Sequence, residues 1–427
     1  MNKEFYLMRS DISGFHMLSI EDRIKKMKKC CSLDEKDIVC LRGGMDDKIA
    51  EMMSENVIGT VKLPVGIATN FLINNKDYLV PMCIEEPSVV AAASHAAKLA
   101  RAGGGFRTHC DEPVMIGQIQ LMGVKTPREA KDIILKNVQE IKKTANHQDS
   151  VMIKLGGGLT GVEVREIPSS RGTMLIVHLL VNVVDAMGAN CVNSMCEGVA
   201  PYLEKLTGGR AVLKIISNLS DRRLVKSTAV WKKDVLGEEV VDRILDAYEF
   251  AKVDPYRCAT NNKGIMNGID AVAIATGNDF RALEAGAHAF AAKGGYKPLA
   301  TYTKNGSGDI VGTIELPISV GIVGGATKTN PVARTSLKIM GIKHATELAG
   351  IMASVGLANN FAAMRALVSE GIQKGHMKLH AKNIAMSAGA AESEAAEIAR
   401  KMVDDEDISV SNAQRLMKEM KANERKK

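Results

Sequence analysis

Lys263 and Asp279 bracket fifteen residues that carry a single charge, Asp270. The run Lys-Gly-Ile-Met-Asn-Gly-Ile-Asp-Ala-Val-Ala-Ile-Ala-Thr-Gly-Asn is otherwise small and apolar. Charges beside such sequence are costly to bury unless they are paired. A lysine held by a carboxylate at the edge of a small-residue helix is a means of meeting negative charge that develops on an oxygen. The same residues also read as a helix ending at Gly277 and a second helix capped by Asp279. Glu86 is a further candidate acid. It precedes Pro87 and an alanine-rich segment, Val89 to Arg101, so it stands at the electropositive start of a helix.

Other constellations are weaker. Gly156 to Gly161 satisfies G-x-G-x-x-G, but Val162 to Ile167 alternates like a strand, where a Rossmann phosphate loop requires a helix. Gly324 to Thr329 lacks the glycine that a P-loop places before its lysine; a close backbone approach to a ligand or helix stays open. Asp185-Ala186-Met187-Gly188-Ala189-Asn190 is a strand-to-helix junction whose first amides suit a pyrophosphate. His376 and His380 stand four apart on a predicted helix, without the zincin glutamate or a nearby third ligand. No metal is expected there, and a histidine serving as a general acid near neutral pH is the better reading.

These groups need a scaffold. Short strands are predicted at Val57–Val61, Val65–Leu72 and Tyr78–Ile84, and Gly103-Gly104-Gly105 ends the alanine-rich helix. Between residues 113 and 217 the pattern gives a strand, a helix from Thr126-Pro127, strands at Val151–Leu155, Val162–Ile167 and Met174–Val184, a helix from Met187 to Leu206, and a strand from Ala211 to Ile216. With Val151 to Ile167 taken as one strand, this is the ferredoxin-like order βαββαβ. The remainder is mainly helical, with a strand pair at Ile310–Leu316 and Ser319–Val323 and a polar helical tail. The fold class is therefore α+β.

Composition narrows the function. Apolar residues make up 46% and charged residues 25%, as in globular proteins. The longest apolar run, Thr173 to Val184, is too short to span a bilayer, and the N-terminus carries no signal-peptide core. Eight cysteines without C-x-x-C spacing point to a reducing cytoplasm. A net charge of +7 and the ferredoxin-like order raise the alternative of a nucleic-acid-binding protein. Aromatics at 4% leave few platforms for base stacking, which weighs against it. A phosphoryl-transfer enzyme built on the glycine loops is the other alternative.

The motifs together resemble one family. Glu55-Asn56-Val57-Ile58-Gly59-Thr60, the Glu86-Pro87-Ser88 helix start, Asp185 to Asn190, Asp254-Pro255-Tyr256-Arg257, Asn262 to Gly268, Gly277-Asn278-Asp279 and Gly375-His376-Met377 look like class II 3-hydroxy-3-methylglutaryl-coenzyme A (HMG-CoA) reductase, in that family's order. The resemblance implies two hydride steps, from HMG-CoA through a hemithioacetal and mevaldehyde to mevalonate and CoA. It implies Lys263 as the cation on the carbonyl oxygen, Asp279 as its hydrogen-bonded partner, Glu86 as the acid acting with it, and His376 as the proton donor to the departing thiolate. A helix start favours a charged Glu86 and burial a neutral one, so its protonation stays open. Ser88, Arg257 and Asn267 would contact the HMG portion, Arg257 through the free carboxylate.

For the cofactor, the resemblance implies NADH, held by Asp185, Met187, Gly188 and Asn190. Asp149 would accept the ribose hydroxyls and repel a 2′-phosphate; NADP remains the second choice. A large substrate domain (1–111 and 218–374), a small dinucleotide domain (112–217) and a flap (375–427) hinged near Gly371 and Gly375 are expected. So is a homodimer with sites at the subunit interface, engaging neither nucleic acid nor membrane.

Overall fold

The computed structural model describes residues 9–43, 46–58, 60–369 and 381–424. Two sheets divide the strands. The larger has the order β2-β1-β3-β8-β10-β9, from β1 (Val65–Ile73), β2 (Lys76–Cys83), β3 (Phe106–Cys110), β8 (Leu224–Trp231), β9 (Ala300–Lys304) and β10 (Ile310–Pro317). The smaller has the order β5-β6-β4-β7, from β4 (Val114–Met122), β5 (Gly158–Ile167), β6 (Met174–Asn182) and β7 (Arg210–Ile216). The chain leaves the large sheet after β3, builds the small sheet, and returns at β8, which pairs antiparallel with β3.

Helices α1 (Ile20–Cys30), α2 (Glu35–Arg42) and α3 (Asp47–Met53) precede the first hairpin. Part of this segment packs through Met27, Leu33 and Ile38 on Leu79 and Ile339. The hairpin turns on Asn74 and Asn75, both at positive φ as a two-residue turn requires. Val57 to Val61, expected as a strand, is irregular where described, and Ile58 and Val61 are exposed. Among the described residues its backbone joins neither sheet, so its apolar content does not become a strand.

Across the small sheet, Leu175, Val177, Leu179 and Val181 of β6 point to one buried side. Ile134 and Ile141 from α5 (Pro127–Lys136) and α6 (Val138–Asn146), and Met195 and Val199 from α8 (Ala189–Thr207), complete that core. The ferredoxin-like order is present. One expected strand is not: Val151–Leu155 forms α7 (Ser150–Lys154) with Leu155 as its C-cap. Its β-branched run was misleading because Asp149 accepts from the Met152 amide and turns the chain helical.

In the large sheet's second half lie α9 (Lys233–Leu236), α10 (Glu238–Val253), α11 (Pro255–Ala275) and α12 (Phe280–Ala291); α13 (Gly325–Thr329), α14 (Pro331–Met340) and α15 (Ala345–Val368) follow the last strand. Ser319–Val323 is a third correction: it is not a strand, and the partner of β10 is β9 on one side and β8 on the other. Helices α11 and α15 pack backbone to backbone. A Cβ added at Gly268 would lie 2.4 Å from Asn359 Nδ2, and one at Gly356 3.0 Å from Ile269. By length and hydropathy α15 could cross a bilayer, which the sequence reading overlooked, but 67% of its most apolar window is buried in the fold, as in a core helix. It lies under the sheet, where Phe361 stacks on Trp231 at 3.8 Å. The tail helices Glu392–Asp404 and Val410–Glu424 share their own small core, including Ile398, Met402 and Leu416.

Candidate active site

Helix α11 begins at Pro255, where Asp254 accepts from the Arg257 amide at 2.6 Å. Eleven of its residues are buried, so its few polar side chains are placed by a rigid rod. Lys263 emerges on its open side, with Asn267 one turn along on the same face. Lys263 Nζ reaches Glu86 Oε2 at 3.4 Å. Two of the predicted catalytic residues, 177 positions apart, thus meet. The side chains are 61% and 37% exposed, so the ammonium is not buried within the single chain. Solvent screening keeps such a pair weak as a structural bond.

Glu86 and Ser88 sit at the start of α4 (Val89–Arg101). Ser88 takes the left-handed conformation, φ 79°, and makes no side-chain cap bond. Its hydroxyl is buried without a partner. A non-glycine residue at positive φ costs of order 1 kcal/mol or more, and such outliers gather at functional sites. The Arg257 guanidinium is half-buried and, among the described residues, pairs with no carboxylate. Desolvation weakens its hold on the proton, as it would for a cation waiting for an anion.

Asp279 departs from expectation. It accepts from the Ala282 amide at 3.1 Å as the cap of α12, and pairs with Arg281 at 3.4 Å. No ion pair joins it to Lys263. A carboxylate at an N-cap is held first by local amides, which compete with a distant ammonium. His376, together with His380, Gly371 and Gly375, lies outside the described residues.

Lower on the Lys263–Asn267 face, Asp270 lies near Glu284 of α12, and its Oδ1 is buried without a hydrogen-bond partner among the described residues. Burial first, and then Glu284, push its carboxyl up to about 8. Glu284 also pairs with His288 at 2.8 Å, and His288 Nδ1 meets the Tyr296 hydroxyl at 2.9 Å. The sequence flagged Asp270 as a lone charge; its partners on α12 were not legible.

The second half of the site is the start of α8. Gly188, its N-cap, has φ 106° and no capping side chain, and an added Cβ would lie 2.6 Å from Val183. Val184 is left-handed too, φ 51°, an unusual state for a β-branched residue. The first amides of this 19-residue helix are uncapped by any side chain, and Asn190 beside them is exposed. That donor set fits a pyrophosphate. Asp185 holds the junction: its carboxylate accepts from the Ala345 amide at 2.7 Å, and its carbonyl accepts from Ile322 at 2.9 Å. Asp149 lies near Cys191 at the same helix start, and that thiol is pushed up to about 12 by burial first and then by the carboxylate. A cleft of about 360 Å³ lined by Ile322, Val323, Gly324, Thr327, Arg334 and Leu337 opens alongside.

Gly156 to Gly161 runs into β5, and Gly158 contacts Asn146 and Ile153 rather than opening a helix. Gly325–Thr329 forms a single turn. No group of three or more metal-ligating side chains occurs among the described residues.

A carboxylate–ammonium pair on the large sheet's helices and an open helix start on an inserted ferredoxin-like module are the parts of an oxidoreductase that delivers hydride to a carbonyl. The family model for hydroxymethylglutaryl-coenzyme A reductase matches residues 19–381. The chain is 54% identical to 3-hydroxy-3-methylglutaryl-coenzyme A reductase of Archaeoglobus fulgidus, covering 97% of this chain and 96% of that one. It is 37% identical to a probable reductase of Borreliella burgdorferi, over 87% and 86% of the two chains. The structure of the Streptococcus pneumoniae enzyme superposes with a TM-score of 0.81 at 40% identity, covering 96% of this chain and 99% of that one. Another structure of that enzyme, described as class II and bound to NADPH in open conformations, gives the same score and covers 84% and 99%. The chain belongs to the HMG-CoA reductase family, in its class II form.

Proposed function

We propose that the Lys263–Glu86 pair is where this chain interconverts HMG-CoA with mevalonate and CoA. The observation that carries the assignment is the 3.4 Å contact of a lysine from a rigid helix with an acid at an uncapped helix start. A reduced nicotinamide dinucleotide bound at the Asp185–Asn190 junction supplies hydride. As a carbonyl carbon accepts it, the oxygen gains negative charge, and the ammonium of Lys263 stabilises that charge. Glu86, within reach of the same ammonium, donates the proton that turns mevaldehyde's alkoxide into a hydroxyl. His376 gives the CoA thiolate its proton as the carbon–sulfur bond breaks. Arg257 and Asn267 hold the HMG carboxylate, and the Ser88 hydroxyl takes up a hydrogen bond from or to the substrate, which answers its lack of a partner among the described residues.

Asp279 holds Lys263 once substrate and the tail have closed the site. The large sheet and its helices carry the substrate, residues 112–217 the dinucleotide, and residues 375–427 the closing flap. Two copies complete the site. Support comes from the exposure of Met52, Ile58 and Val61 around the Glu55–Thr60 motif, and from a catalytic ammonium more than half exposed in one copy. Eight free cysteines suit a reducing cytoplasm.

NADH is the cofactor we infer. The Asp149 carboxylate beside the α8 start would repel a 2′-phosphate. NADPH is the second reading, since the Streptococcus pneumoniae enzyme is described bound to it.

The test follows oxidation of NADH and NADPH with HMG-CoA and, separately, with free mevaldehyde. His376→Ala is expected to slow the thioester half-reaction by about 100-fold and the aldehyde half-reaction less than threefold. Equal losses would remove His376 from thiolate protonation.

A further inference from the structure

Arg223, the residue before β8, is 3% exposed and forms no ion pair among the described residues. Its guanidinium donates instead to three backbone carbonyls. Nη1 reaches Ala186 at 3.2 Å and Met187 at 3.4 Å, and Nη2 reaches Val320 at 2.6 Å. A buried cation whose hydrogen bonds go to carbonyls, with the Asp185 carboxylate acting only through its charge, is costly unless their geometry is fixed. The fork geometry of a guanidinium can tie two separate segments at once, which an ammonium does less well.

The segment on the other side of the fork leads to the catalytic turn. The Arg223 carbonyl accepts from the Ile318 amide at 3.4 Å, and the Ile322 amide returns to Asp185. Between them, the Gly321 amide donates to Asn278 Oδ1 at 2.8 Å, and Asn278 is the neighbour of Asp279. A Cβ at Gly321 would lie 2.5 Å from the Met187 nitrogen, so the two backbones are already in contact. One continuous set of bonds therefore runs from the loop before α8, through Arg223 and residues 318–322, to the turn that starts α12.

We propose that Arg223 is a positioning residue for hydride delivery: it fixes the Ala186–Met187 backbone, and with it the start of α8, in register with the Asn278–Asp279 turn of the substrate site. The proposal rests on reading the Asp185–Asn190 junction as the dinucleotide site. Loss of the fork lets the loop drift, so the cofactor binds more weakly and hydride sits farther from its acceptor, while the HMG pocket on α4 and α11 is untouched.

The experiment titrates NADH and NADPH into the full chain by cofactor fluorescence, and measures steady-state KM for HMG-CoA, for Arg223→Lys, Arg223→Met, Asn278→Ala and Asn190→Asp. Arg223→Met is expected to raise the dinucleotide Kd and lower kcat by about tenfold or more, with KM for HMG-CoA within about twofold of wild type. Arg223→Lys should recover part of that loss, and Asn278→Ala should lower kcat with little change in Kd. If Arg223→Met does not fold, Arg223→Lys and Asn278→Ala carry the test. A folded Arg223 variant with wild-type Kd and kcat, or one that weakens both ligands in parallel with its loss of melting temperature, would overturn the proposal. Asn190→Asp places a negative charge on the exposed helix start. If it weakens dinucleotide binding while the Arg223 variants do not, the positioning role alone fails; if it has no effect, the cofactor reading fails with it.

Discussion

Helices α4 and α8 start differently from α11 and α12. The latter two are capped by aspartates, Asp254 and Asp279, each accepting from an amide of its own first turn. The former have left-handed N-caps, Ser88 and Gly188, and no side-chain cap bond. An N-terminal turn leaves several amides without partners, and a cap such as aspartate contributes about 1 kcal/mol by satisfying one. Forgoing that stability at two helices, with strained Ser88 and Val184 nearby, leaves amides and a hydroxyl open to ligands. On the proposed reading, the capped starts locate their helices and these two left-handed starts are where ligands bind. Asp279 belongs to both descriptions, because it caps α12 and is also the expected partner of Lys263.

The sharpest way to break this contrast is at Lys263, which meets Glu86 at the start of α4. Lys263→Ala should reduce turnover by at least about 1,000-fold, comparable to loss of a strong oxyanion-stabilising group, with the melting temperature unchanged. Rates near wild type would separate the α4 start from the chemistry. Asp279→Asn asks which of its two roles dominates. Asparagine caps a helix as well as aspartate does, so stability should hold within about 0.5 kcal/mol while kcat falls by about 100-fold. Unaltered kcat would leave Asp279 as a cap only.

At the other open start, Asp149→Gly is expected to shift the NADH to NADPH ratio of kcat/KM by about tenfold towards NADPH. A constant ratio would detach Asp149 from cofactor choice. The smallest effect belongs to Ser88→Gly. Relief of the positive φ should hold or raise stability by up to about 1 kcal/mol, while loss of the hydroxyl raises KM for HMG-CoA severalfold. A fall in melting temperature would show that Ser88 serves the fold.

Much of this was legible in the chain. The ferredoxin-like order followed from Pro127, the alternation of Val162–Ile167 in β5 and the glycines after α8, because those signals are local. Asp149 capping α7 was not visible, since a carboxylate in a loop suits a turn, a cap or a ligand equally. Glu86 and Lys263 were identifiable by resemblance; that they meet is a product of tertiary packing between α4 and α11. Arg223 passed unnoticed, and Asn278 was read only as part of the Gly277–Asp279 motif, without its bond to Gly321. Their partners are backbone groups of distant segments, and backbone groups leave no mark on residue identity. The resemblance carried Asp279 to a bond with Lys263, yet its nearest competitors, the α12 amides, are supplied by its own neighbours in sequence.

The nesting of one sheet inside the other sets an order of events during synthesis. Strand β3 emerges with one side awaiting β8, and 113 residues separate Asp111 from its backbone partner at Leu224. Everything needed for the smaller sheet lies within that interval, so it can close on itself first. Until then the nascent hairpin of β1 and β2, with β3 beside it, presents an unpaired edge, the kind of surface that chaperones shield and that other chains can capture.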